Sequence, residues 1–103
     1  MIYEYLEECG AVGPDRAVNV ETLRKYLELP PRRLNEQINR ERREGKVICS
    51  RTDNGGGYYL PSTVDDVREL VRQQEGRIKA HALTIRAARQ WLKQYRKDHG
   101  GRQ

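Results

Sequence analysis

Between Val64 and Tyr95 ten positions recur at spacings that alternate strictly between 3 and 4: Val64, Val67, Val71, Gln74, Ile78, His81, Ile85, Ala88, Leu92 and Tyr95. That is the heptad spacing of a coiled-coil seam, narrower than the stripe of an ordinary surface helix. It predicts a long helix, or a helix pair bent at the off-seam Gly76, over residues 62–99. Ser62 or Thr63 is placed to cap its start, where Asp65 and Asp66 complement the positive end of the helix dipole. Carried to position 98 the helix would run roughly 55 Å, longer than a small domain is wide, so folding back would leave much of the seam wet. The economical solution is a homodimer in contact through Ile78, His81, Ile85, Ala88, Leu92 and Tyr95. The polar seam residues Gln74 and His81 are of the kind that sets register or oligomer state. Antiparallel pairing is expected, because it brings the basic end of one chain toward Asp65, Asp66, Glu69 and Glu75 of the other.

Residues 1–61 follow a different rhythm and form the other expected domain. Ile2, Leu6 and Cys9 share helical spacing, and Gly10 with Gly13-Pro14 ends that helix. The alternation of Val18 and Val20 predicts one short strand. Asn19 or a neighbour then opens a second helix with Leu23 and Leu27 on one face, stopped by Pro30-Pro31. Pro31 suits the first position of a third helix, whose inward anchors are Leu34 and Ile38 and whose end is Gly45. KVICSRT and GYYLP then read as two strands around DNGG, with Asn54-Gly55 as the turn signal. Tyr58 and Tyr59 must face opposite sides, one of them the core.

The order helix, short strand, helix, helix, hairpin is that of a winged helix-turn-helix, mainly α with a small β-hairpin wing. Three consecutive glycines also invite a phosphate-loop reading. They lead into a strand rather than a helix, however, and neither G-x-x-x-x-G-K-[ST] nor G-x-G-x-x-G is present. The stretch INRERREGKVICSRTDNGGGYYLP resembles a family of small winged-helix proteins of bacteriophages and prophages. The matching positions are Ile38, Arg42, Gly45, Ile48, Cys49, Ser50, Gly57, Tyr58, Tyr59 and Leu60. That family usually carries Leu where this chain has Glu41, so the end of the third helix must pack differently. The resemblance covers about the first three quarters of the chain and implies the fold more than the biochemical role.

The net charge of +5 is unevenly spread. Residues 30–51 carry 7 basic and 3 acidic side chains, and residues 77–103 carry 8 and 1. A polyanion should be met there. With Leu34 and Ile38 inward, Arg32, Glu36, Asn39, Arg40 and Arg43 point out, flanked by Arg33, Asn35 and Gln37. Arg pairs with guanine and Asn or Gln with adenine in the major groove, where a helix-turn-helix presents its second helix. Arg51 and the glycine tip are expected as an auxiliary phosphate or minor-groove contact. A merely solvated arginine-rich face is the competing reading. Cys9 and Cys49 are isolated, without the paired spacing of a zinc site, and read as reduced, half-buried small hydrophobes. No nucleophile with a base, carboxylate pair or cofactor motif stands out, so no enzyme, metal or cofactor is expected. No apolar run approaches the ~20 residues of a membrane span, and a cytoplasmic protein of the bacterial host cell is expected, with residues 100–103 as a disordered tail. Two functions stay open: a phage-type, sequence-specific double-stranded DNA-binding protein regulating transcription as a dimer, or a phage protein that binds and inhibits a host protein such as a bacterial defence (CRISPR) nuclease.

Overall fold

The computed structural model describes residues 1–53 and 55–100. Asn54 of the expected Asn-Gly turn, and the expected disordered tail beyond Gly100, lie outside the described residues. The chain is mainly helical, with one small antiparallel hairpin and a long C-terminal helix. It divides into two compact units, Met1–Leu70 and a second beginning at Val71.

In the first unit, α1 (Ile2–Glu8) buries Ile2 and Leu6 and packs on α3 (Pro31–Arg43). Cys9 caps the C-terminus of α1 and is exposed, not half-buried as expected, because it lies past the last inward-facing turn. A 3-10 turn, Pro14–Arg16, carries the chain toward α2 (Val20–Leu27). The strand expected at Val18 and Val20 shrinks to one residue. Val18 exchanges both backbone hydrogen bonds with Tyr58, each 2.9 Å, while Val20 is already helical. Asn19 decides this: its side chain accepts from the Thr22 N–H at 2.8 Å and starts the helix there.

α2 ends one turn before the prolines. Glu28 adopts a left-handed conformation, φ 54°, and the Leu29 N–H reaches back 3.1 Å to the Arg24 carbonyl. Pro31 then occupies the first position of α3, where it forfeits no hydrogen bond. Leu23, Leu34 and Ile38 meet Ile2, Leu6 and Ile48 in the core, closed by Ala11 and Leu60. Each of the six larger side chains contributes about 1.5–3 kcal/mol by leaving water.

β1 (Cys49–Arg51) and β2 (Gly57–Tyr59) pair antiparallel, Cys49 opposite Tyr59 and Arg51 opposite Gly57. The Gly56 N–H closes the loop on the Asp53 carbonyl at 2.9 Å. The last of the three glycines belongs to β2 rather than the tip. A Cβ on Gly57 would stand 2.9 Å from the Val18 carbonyl oxygen, so the hairpin can pair with Val18 only because that residue is glycine. Tyr59 is buried, and Tyr58 on the opposite side of the strand is half-buried and packs against the core cluster. Burial and the nearby Asp66 carboxylate push the Cys49 thiol up to about 11, so it stays protonated and lies 3.7 Å from the Asp66 carbonyl.

α4 (Val64–Asp98) begins in a reciprocal capping box. The Asp66 carboxylate accepts from the N–H groups of Ser62 and Thr63 and from the Ser62 hydroxyl, and the Asp66 N–H donates to Thr63 Oγ1. The backbone and hydroxyl of Ser62, then those of Thr63, hold the Asp66 carboxyl below its ordinary value. Of the two expected arrangements, a single long helix or a helix pair, the single helix is found: α4 runs unbroken through Gly76, and a Cβ there would meet nothing within 4 Å. In the first turns Val67 and Leu70 are half-buried, whereas Val64 is exposed. No helix among the described residues is long and apolar enough to cross a membrane.

Candidate nucleic-acid interface

The inward face of α3, set by Leu34 and Ile38, also carries a buried charge. Glu41 is 1% exposed. Its carboxylate accepts from the Ile2 N–H at 3.0 Å, the Tyr3 N–H at 2.9 Å and Gln37 Nε2 at 2.8 Å. Ile2 and Tyr3 open α1, so a side chain from α3 satisfies orphan donors of another helix. The N-terminal ammonium lies 3.6 Å from the same carboxylate. Burial alone would push the Glu41 carboxyl up; the bonds from Ile2, Gln37 and Tyr3 outweigh it and hold the carboxyl below its ordinary value. An ionic cap from α3 thus closes over the start of α1. The other end of that turn is tied down by Arg42, whose Nε donates to the Ile48 carbonyl at 2.8 Å.

With Leu34, Ile38 and Glu41 inward, α3 exposes Arg32, Arg33, Asn35, Glu36, Asn39, Arg40 and Arg43. Glu36 lies 3.7 Å from Arg32, an exposed i,i+4 pair that mutes the one acid on this face. Arg32 and Arg33 sit in the first turn, which has no acidic residue. Cations there oppose the helix dipole and do nothing for the fold, yet an anion in front of that turn would be welcomed by both.

Two of the expected contact residues are used otherwise. Gln37 is half-buried and its amide serves Glu41, so it drops out of the outward face. Arg51 has a side chain only 19% exposed. Its Nε donates to Asp53 at 2.8 Å and its guanidinium reaches the Pro14 carbonyl at 2.6 Å. The Asp53 carboxylate raises the affinity of Arg51 for its proton and is itself held below its ordinary value by Arg51. Arg51 therefore laces the hairpin to the Pro14 turn and brings no unpaired charge to the tip.

In the second unit every residue from Glu75 to Gly100 is exposed, including the expected dimer residues Ile78, His81, Ile85, Ala88, Leu92 and Tyr95. An aromatic ladder that the seam spacing did not single out runs beside them. Trp91 stacks on Tyr95 at 5.3 Å between ring centres, and Tyr95 on His99 at 4.0 Å. Its signal was the i, i+4, i+8 recurrence of rings. Lys79, Arg86, Lys93 and Lys97 take the opposite flank.

Among the described residues no group of three or more His, Cys, Asp or Glu side chains could hold a metal ion. No protein-family model matches this chain, and neither a curated protein nor a solved structure matches it.

Proposed function

We propose that the first unit is a winged helix-turn-helix whose α3 enters the major groove of double-stranded DNA, and that the protein is a phage-type, sequence-specific regulator of transcription acting as a dimer. The observation that carries this is the exposed face of α3: four arginines and two asparagines clear of the core, with two of the arginines placed against the helix dipole. Three residues separate α2 from α3, the short connection of such a motif, and the hairpin follows where a wing belongs. Arg32, Arg33, Asn35, Asn39, Arg40 and Arg43 are the contact set. Glu36 tunes Arg32 or accepts from a cytosine amino group. Gln37 and Arg51 hold the scaffold. Regulation rests on the analogy of fold.

The test is titration onto random duplex DNA at several salt concentrations. A steep fall of log affinity with log salt is expected, because each phosphate contact releases counterion. Arg32→Ala with Arg40→Ala should weaken binding by about tenfold or more while the domain stays folded. Unchanged affinity in the folded double variant removes α3 from the interface. Absence of binding at low salt favours the second reading, inhibition of a host protein such as a bacterial defence nuclease, for which the exposed apolar seam of α4 would be the contact.

A further inference from the structure

The positions Val64, Val71, Ile78, Ile85 and Leu92 stand seven residues apart and are 50–68% exposed. A straight helix drifts only about 20° per heptad, so from Val71 to Leu92 they form one nearly straight apolar row. Alongside, at the second seam position, run Gln74, His81, Ala88 and Tyr95. Four regularly placed large aliphatic side chains left in water on one face call for a cover of matching period, and the flanking charges say which.

We infer that the cover is a second copy of this helix, laid antiparallel about a two-fold axis near residue 83. This deepens the dimeric part of the proposed function and does not depend on DNA being the ligand. In an antiparallel pair the two seam positions face one another across the axis. Centred near 83, Val71 meets Tyr95 of the second copy, Ile78 meets Ala88, Ile85 meets His81 and Leu92 meets Gln74. Every large residue is thus opposite a small, polar or planar one, the alternation that lets layers interdigitate.

The flanks select this register. Glu75, the acid on the seam's edge, comes opposite Arg89 of the second copy. Arg77 comes opposite Trp91, a cation over an aromatic face. Both contacts occur twice by symmetry, and Ala82 and Thr84 meet their own copies where the helices cross. Sliding by one heptad toward the N-terminus sets Glu75 opposite Ala82 and Arg77 opposite Thr84, losing both pairs. Sliding the other way demands a partner for Val71 beyond the end of α4 at Asp98. Parallel pairing fails on charge: residues 77–98 carry 7 bases and 1 acid, and would lie side by side with their own copies.

The full chain, without DNA, should sediment as a dimer at high micromolar concentration. Ile85→Asp should give a monomer with unchanged helical circular dichroism, since Ile85 touches no core. A monomeric unmutated chain, or a dimer that survives Ile85→Asp, overturns the inference. Orientation is read in a Cys9→Ser background. Val71→Cys mixed with Tyr95→Cys should oxidise to a mixed disulfide, whereas Val71→Cys alone should not cross-link. Self-linkage at Val71 overturns the antiparallel arrangement. Glu75→Arg should weaken the dimer about tenfold, and adding Arg89→Glu should restore it. A monomer that still binds DNA would retain the DNA-binding part of the proposed function and lose its dimeric part with this inference; a dimer indifferent to DNA would do the reverse.

Discussion

Glu41 and Ile78 invert the usual order of a folded chain: the carboxylate is 1% exposed and the isoleucine 68%. In the unit that ends at Leu70 even a charge is enclosed and provided with donors from another helix. In the unit that begins at Val71 the large aliphatic side chains Val71, Ile78, Ile85 and Leu92 are exposed. Each sequence obeys a helical period. What separates them is that the first contains its own complement, Leu34 and Ile38 having Ile2, Leu6 and Ile48 to meet, whereas the second repeats one pattern for 28 residues and supplies nothing of its own to answer it. A periodic apolar row is thus a statement about a partner as much as about a helix.

The largest effect expected from breaking that contrast is at Glu41. Glu41→Ala removes the acceptor for the buried Ile2 N–H, the partly buried Tyr3 N–H and Gln37, and should cost about 3 kcal/mol in urea denaturation near neutral pH. The pH dependence has a definite sign. The folded carboxyl lies below the ordinary value of 4.5, so its contribution is full above that value and is lost as pH falls through the lower folded-state pKa. Wild type and the alanine variant should converge in acid. A stability difference that stays flat from neutral pH down to about pH 2 would mean that packing, not charge, is what Glu41 provides.

The next effect separates scaffold from interface within the first unit. Arg51→Ala should lower the thermal midpoint by a few degrees, since it unties the hairpin from the Pro14 carbonyl, and should leave the salt slope of DNA binding unchanged. Arg32→Ala with Arg40→Ala should do the opposite, lowering the slope and sparing the midpoint. A reduced slope for Arg51→Ala would return the hairpin to the phosphate backbone.

The two arginine classes look alike in sequence, and this marks where reading residues ends. The three helices of residues 1–43, the start of α3 at Pro31 and the cap of α4 follow from local spacing and breakers, and the burial of Leu34 and Ile38 follows from their helical period whichever residues they meet. Glu41, Gln37 and Arg51 do not. Their partners are Ile2 and Tyr3, then Glu41 itself, then Pro14, and the first and last of these are more than 35 positions away. An exposed arginine and one folded under a loop have the same letters on either side. The period of α3 nevertheless placed most of its outward face, since rotation about a helix axis is set by a few apolar anchors. Gly76 does not break α4 for a related reason: a helix-weakening residue breaks a helix only where something else competes for its backbone.

That gives a prediction for the second unit. Gly76→Ala should raise helix stability by about 1 kcal/mol, because Ala keeps less backbone freedom when unfolded and its methyl meets nothing within 4 Å. Melting followed at the helical band of the circular dichroism spectrum is the measurement. A lower midpoint would reveal that the glycine yields to a bend in solution.

The smallest effect lies in the turn between α2 and α3, at the one non-glycine residue with positive φ among those described. Glu28 holds φ 54° at the C-terminus of α2, where its Cβ crowds the following carbonyl at a cost of about 1–2 kcal/mol. Glycine would relieve that strain and lose part of the gain to its greater freedom when unfolded, so Glu28→Gly should stabilise by about 0.5–1 kcal/mol. The turn fixes how α3 leaves α2, so the substitution also asks whether strain there is functional. If Glu28→Gly raises stability and leaves DNA affinity unchanged, the left-handed residue is only an imperfect helix stop. If it raises stability and weakens binding, the side chain or the stiffness it imposes helps to aim α3, and the strained turn belongs with the arginine face rather than with the core.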